Sequence, residues 1–282
     1  MLDADRLGAY LARVGYDGSR APAYETLRAI HRAHLHAIAY ENLDIHLGRP
    51  MPLDRGAAFH KLVDERRGGW CYEMNGVFGW VLESLGYDVR YVAGAAGRAT
   101  SGDTALDNHL VLIVTLDRPY VVDVGFGDGF LDPLPLEPGT YRQGIFEFRL
   151  SRDGEWWRMH NHAYGGADSF DFTLAPRDYA SFAAKCHELQ TSPDSGFVKT
   201  TVCERFTPDG LVTLRSATLR EVTADGARDR VLGDAGEYAR VLRDCFDLAP
   251  PGIEDLWPVV WDRHLAWLAA RAEASGAAGG PA

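Results

Sequence analysis

Apolar residues recur at helical spacing through the first third of the chain. From Ala4 to Val14 the pattern puts Leu7, Tyr10, Leu11 and Val14 on one face. From Pro22 to Ile38 it gathers Leu27, Ile30, His31, His34, Leu35 and Ile38. Pro22 suits the first helical position, where its missing N–H costs nothing. An extended piece, Tyr40–Ile45, and turn residues at Gly48–Pro52 precede a third helix. Asp54 can cap it, Phe59, Leu62 and Val63 supply its apolar face, and Gly68-Gly69 end it. A fourth helix starts near Cys71. Its Met74, Val77, Phe78, Val81, Leu82 and Leu85 make the i, i+3, i+4, i+7, i+8, i+11 stripe of a buried face, and Gly86 stops it.

Beyond Gly86 the period changes. Asp88–Ala93, His109–Thr115, Tyr120–Val124, Phe146–Leu150 and Trp156–Met159 are short, rich in β-branched or aromatic residues, and separated by Gly, Pro, Asp and Asn. A helical segment is predicted at Asp178–Leu189, strands at Phe197–Phe206 and Leu211–Leu219, and helices at Asp234–Cys245 and Trp257–Glu273. The low-complexity end, 274–282, predicts a disordered tail. Helices first, then antiparallel strands, then a mixed segment make an α+β arrangement.

Composition narrows the class. With 282 residues, 46% apolar and 24% charged, the chain has an ordinary globular make-up and can bury a large core. Its 29 Lys+Arg against 40 Asp+Glu give a net charge of −11. That balance argues against a protein that coats nucleic acid or an anionic membrane. The charged N-terminal stretch lacks a signal-peptide core, and no window reaches the roughly 20 apolar residues of a membrane span. A cytoplasmic location is the expectation. Cys71, Cys186, Cys203 and Cys245 are scattered, with no CxxC pair, which fits neither a zinc knuckle nor a disulfide scaffold. His31 with His34, and His160 with His162, are weak ligand patterns without a carboxylate or Cys set, and no metal is expected.

One cysteine stands apart. Cys71 follows Arg66-Arg67-Gly68-Gly69-Trp70. The glycines permit a sharp turn, and the thiol falls in the first turn of a helix, whose positive end favours thiolate. The other three cysteines sit in apolar settings. A nucleophilic thiol needs a base and an orienting group. His109 opens a strand after a polar loop, and Asp123 is a lone acid inside the next apolar run. A buried carboxylate needs a partner, and His109 is the obvious one. A two-residue turn at Asp117-Arg118 would put the two on opposite faces. Their pairing therefore predicts a three-residue loop or a bulge.

At these residues the chain resembles the arylamine N-acetyltransferases. Arg67-Gly68-Gly69-x-Cys71-x-Glu73-x-Asn75 is similar to the family signature, Asn108-His109-Leu110-Val111-Leu112 to its His strand, and Asp123-Val124-Gly125-Phe126-Gly127 to its Asp segment. Ala39-Tyr40-Glu41-Asn42-Leu43 resembles its "PFENL" piece, with Ala39 and Tyr40 replacing Pro and Phe. The resemblance is strongest over residues 35–135. It implies a helical bundle (1–87), a β-barrel-like domain (88–190) and an α/β lid (191–273) around a cysteine-protease-like core.

The implied chemistry is ping-pong transfer from acetyl-CoA through acetyl-Cys71 to an arylamine or arylhydrazine, with O-acetylation of N-hydroxyarylamines. His109 is the implied base and Asp123 its orienting acid. Phe126 and Gly125 would meet the acyl group, with Asn108, Tyr40 and Phe197 as further lining. Glu41 and Arg67 are expected to pair in the interior, and Glu73 and Asn75 to fix the active-site loop. No metal enters this chemistry, and the oligomeric state stays open. An amide synthase of the same fold, using a carrier-bound acyl chain, shares this triad. So does the Cys–His–Asp order of a papain- or transglutaminase-type thiol enzyme, against which the RGGxC and DVGFG segments argue.

Overall fold

The computed structural model describes residues 1–277, with side chains through residue 269. The first helix is Ala4–Val14. The Asp3 side chain caps it by accepting the Arg6 N–H, and Gly15 closes it at φ 71°. The second helix is Tyr24–Ala37. The expected extended piece keeps only the strand Tyr40–Glu41, since Leu43–His46 winds into a short helix; Asp54 caps the next helix, accepting from the Ala57 N–H. The expected regular helix to Gly68 does not form. After Arg55–Phe59 the winding widens into a π-helical turn, His60–Asp64, at which Lys61 enters the interior. Cys71–Ser84 is buried on nearly every side rather than along one stripe. The helices Ala4–Val14 and Arg55–Phe59 and the strands Asp88–Ala96 and His109–Thr115 pack against it.

All strands among the described residues pair antiparallel, in two sheets. The larger is barrel-like and has eight strands. Their order is Leu134–Pro135, Pro119–Val122, His109–Thr115, Asp88–Ala96, Ser169–Pro176, Trp156–His160, Phe146–Asp153 and Gly139–Gln143. The smaller sheet orders Tyr40–Glu41, Val202–Thr207, Gly210–Arg215, Thr218–Thr223 and Gly226–Val231. An N-terminal segment thus becomes the edge of a sheet made otherwise from the last third of the chain. No helix among the described residues is long and apolar enough to cross a membrane.

Three differences from the expected elements have local causes. Leu211–Leu219 is two strands, because Ser216 turns the chain at φ 49°. Phe197 lies not in a strand but in the short helix Gly196–Lys199, which Ser195 caps. The strands Gly139–Gln143, Ser169–Pro176 and Gly226–Val231 were unexpected. Gly226–Val231 is an exposed polar edge. In Ser169–Pro176 the first four residues are all buried, Asp171 among them, so no two-residue period shows. The last helix runs to Ala277, beyond the expected Glu273; residues 278–282 of the expected tail lie outside the described residues.

Candidate active site

Cys71 is the first residue of the central helix and is 2% exposed. The loop before it is pinned to the Tyr40–Glu41 strand. The Glu41 N–H donates to the Gly69 carbonyl (2.9 Å) and the Gly69 N–H to the Ala39 carbonyl (3.2 Å). A Cβ at Gly68 would lie 2.3 Å from the Ala39 carbonyl oxygen, so only glycine fits. The Trp70 N–H donates to Glu73 Oε2 (3.2 Å), which fixes the helix start.

His109 opens its strand, and Asp123 directly follows the adjacent strand Pro119–Val122. Thr115 pairs with Pro119 and Leu112 with Val122, leaving the three-residue loop Leu116-Asp117-Arg118. This is the register required for both side chains to share a face. His109 Nε2 lies 2.6 Å from Asp123 Oδ2, with both groups buried. Asp123 Oδ1 accepts from Asn75 Nδ2 (2.7 Å) and from the Gly125 N–H (2.9 Å). Asn75 also donates to the Leu110 carbonyl and accepts from the Val124 N–H. One amide therefore ties the Cys71 helix to both strands, and the carboxylate has donors on each oxygen.

Cys71, His109, Asn108, Gly125, Phe126, Tyr40 and Phe197 all line one cavity of about 380 Å³. Gly125 must be glycine, since a Cβ there would lie 2.7 Å from Cys71 Cα. The Phe126 ring meets His109 edge-on at 5.3 Å. Phe170, absent from the sequence reading, packs 5.0 Å from both rings. The Asn108 amide is engaged with Ala96, donating to its carbonyl and accepting from its N–H, while the Asn108 carbonyl lies 3.8 Å from Cys71 Sγ. Two acids not anticipated from sequence, Asp128 and Glu204, also reach this cavity.

The helix start was expected to lower the Cys71 pKa. In the folded protein burial dominates and pushes the thiol well up, although the backbone at Leu110 and Tyr72 favours the thiolate. The thiol therefore needs a base beside it. Among the described residues no group of His, Cys, Asp and Glu side chains is arranged to hold a metal. The two histidine pairs are used otherwise: His34 Nδ1 bonds the Tyr10 hydroxyl (2.8 Å), and His160 is held by Arg149 and Ser151.

Behind the loop lies a buried charge cluster. Arg67 Nη2 is 2.9 Å from both Glu41 Oε1 and Asp44 Oδ1. Lys61 Nζ is 2.9 Å from both Asp44 Oδ2 and Glu73 Oε2. The expected Glu41–Arg67 pair is present, and Lys61 and Asp44 extend it. Nothing in the local sequence around Lys61 marks it as buried; the π-helical turn brings it in.

His31 supports the acid from behind. Its Nδ1 is 2.8 Å from the Leu131 carbonyl, and its Nε2 lies 3.1 Å from the Asp123 carbonyl and 3.3 Å from the Asp123 nitrogen. Burial lowers its pKa to about 4, so the ring is neutral at pH 7. A histidine whose folded pKa lies below its unfolded value adds stability above the unfolded pKa. That contribution is lost as pH falls toward the folded value. We expect His31→Asn to destabilise the protein at pH 7. The gap from the unmodified protein should narrow between pH 6.5 and 4, by about 1.4 kcal/mol per pH unit at most. Urea unfolding at pH 7, 6 and 5 measures it; a gap that is constant with pH refutes a neutral buried His31.

Comparison with known proteins agrees with this geometry. A family model described as N-acetyltransferase matches residues 23–251. The pineal-gland arylamine N-acetyltransferase of Gallus gallus is 35% identical over 271 residues, covering 85% of this chain and 92% of its own. An arylamine N-acetyltransferase of Mycolicibacterium smegmatis is 38% identical, covering 84% of this chain and 88% of its own. The structure of the Mycobacterium marinum arylamine N-acetyltransferase in complex with CoA superposes with a TM-score of 0.81 at 34% identity, over 88% of this chain and 94% of that one. A shared fold, a match over most of the chain and this thiol, imidazole and carboxylate arrangement lead to one conclusion: the chain belongs to the arylamine N-acetyltransferase family.

Proposed function

We propose that this chain transfers an acetyl group from acetyl-CoA to an arylamine or arylhydrazine, with Cys71 as nucleophile, His109 as base and Asp123 as orienting acid. The carrying observation is the 2.6 Å contact between His109 Nε2 and Asp123 Oδ2 in the cavity that also contains Cys71. Cys71 attacks the thioester carbonyl of acetyl-CoA as His109 takes its proton. The bond to the CoA sulfur breaks, and that sulfur receives the proton. The amine then attacks acetyl-Cys71, His109 accepts the amine proton, and the cysteine thiol re-forms. Asp123 holds the imidazole in the needed tautomer and stabilises its cation.

The net charge of −11 opposes an acidic cosubstrate, so CoA must be held by local groups. Lys199, Arg215, Arg220 and Arg263 line a second cavity that shares Glu204, Asp128 and Arg215 with the first. The four free cysteines suit a reducing cytoplasm.

The test is mass spectrometry of the intact protein and its peptides after incubation with acetyl-CoA alone. One acetyl group on Cys71, removed when an arylamine is added, is the expected result. No label, or a label on Cys186, Cys203 or Cys245, refutes the assignment. An amide synthase acting on a carrier-bound chain predicts an acyl-Cys71 as well, and differs by preferring a longer acyl donor.

A further inference from the structure

Glu204 takes no part in the Cys71, His109 and Asp123 arrangement. It lies in the Val202–Thr207 strand, directly opposite Tyr40 in register. Cross-strand partners share a face. Tyr40 lines the catalytic cavity, and so does Glu204, although Glu204 is only 5% exposed. No hydrogen bond from the described residues reaches its carboxylate; Arg215, half exposed, stands 3.9 Å away. Asp128 lines the same wall, and its oxygens are already engaged by Asn161 Nδ2 (2.8 Å) and the Gly166 N–H. Burial and Asp128 push the Glu204 pKa up to about 8, so the acid is largely protonated at pH 7 until a cation beside it draws it to the carboxylate. A buried carboxylate without donors is costly, and one facing a substrate cavity is compensated when a ligand supplies the donor.

We propose that Glu204, together with Asp128, forms an acceptor-selecting wall that holds a cationic or N–H-donating substituent on the arylamine, away from the nitrogen being acetylated, and rejects an acceptor carrying a carboxylate there. The inference rests on the acetyl-transfer reading above. It fits the cavity, which the aromatic residues Phe126, Tyr40 and Phe197 also line. Those rings take the aryl body, and the acids then meet its polar end. A cationic substituent pairs with the carboxylate it draws out, whereas a carboxylate there would repel that ionised form and leave buried polar groups unmatched.

Two acceptors of similar shape and opposite charge test it: 3-aminobenzamidine and 3-aminobenzoate. In a ping-pong scheme kcat/KM for the acceptor reports only its reaction with the acetyl-enzyme. The ratio of the two values is therefore unaffected by the fraction of folded protein or by the donor step. The unmodified protein is expected to favour the amidine. Glu204→Gln should lower the amidine-to-benzoate ratio by about tenfold or more, mainly through KM for the amidine. Asp128→Asn should lower it less, in the same direction. A ratio unchanged in both variants overturns the inference. So does an effect confined to KM for acetyl-CoA, which would place Glu204 on the donor. If aniline itself is not acetylated, the transferase reading falls first and takes this inference with it.

Discussion

Replacing Cys71 by alanine is expected to lower acetyl transfer by about a thousandfold or more, because the covalent route is removed and only binding remains. The informative companion is His109→Gln. Burial pushes the Cys71 thiol up, so without a base it stays protonated at pH 7. Alkylation of Cys71 by iodoacetamide should therefore slow by about tenfold or more in His109→Gln at pH 7, and recover as pH rises. Alkylation unaffected by the His109 change would mean that the thiolate is made by the helix start alone. Cys71→Ala retaining full transfer would overturn the whole mechanism.

The second large effect is on stability. Lys61→Met should destabilise the fold by about 3–5 kcal/mol, read as a shift in the urea midpoint with unchanged slope. Lys61 Nζ contacts Asp44 and Glu73 at 2.9 Å and stands 4.0 Å from Glu41, all in the interior. Glu41 and Asp44 would keep Arg67, and Asp44 also Arg49 at 3.6 Å, but Glu73 would lose the cation it is paired with. Burial already pushes Glu73 up even with Lys61 beside it, so its charge depends on that neighbour. Activity should fall as well, because Glu73 accepts the Trp70 N–H one residue before the nucleophile. Lys61→Met combined with Glu73→Leu should recover part of the lost stability, since no charge is then left alone at that end. A shift below about 1 kcal/mol for the single variant would place Lys61 among ordinary surface ion pairs.

Much of the site was legible because its parts are local. The RGGxC loop, the strand-start His109 and the lone Asp123 each announce a backbone requirement or a buried polar group within a few residues. Once His109 and Asp123 are taken as partners, side-chain alternation requires an odd register between them, and the three-residue loop at Leu116–Arg118 has it. Asn75, expected to fix a loop, ties Asp123 to Leu110 and Val124. Phe170 was not legible, because four successive buried residues erase the alternation of its strand.

By itself the sequence determined the helix–strand order, the candidate nucleophile with its two partners, and the family resemblance. Each of these depends on residues close in the chain or on periodicity within one element. Only the tertiary structure decided which charges are buried. Lys61 became a core cation through a π-helical turn, and the Cys71 thiol went up rather than down because solvent was removed around it. Glu204 reached the cavity wall because Tyr40, far away in sequence, pairs with it across strands. Burial and charge pairing are set by what the remote chain brings alongside, and no local pattern carries that information.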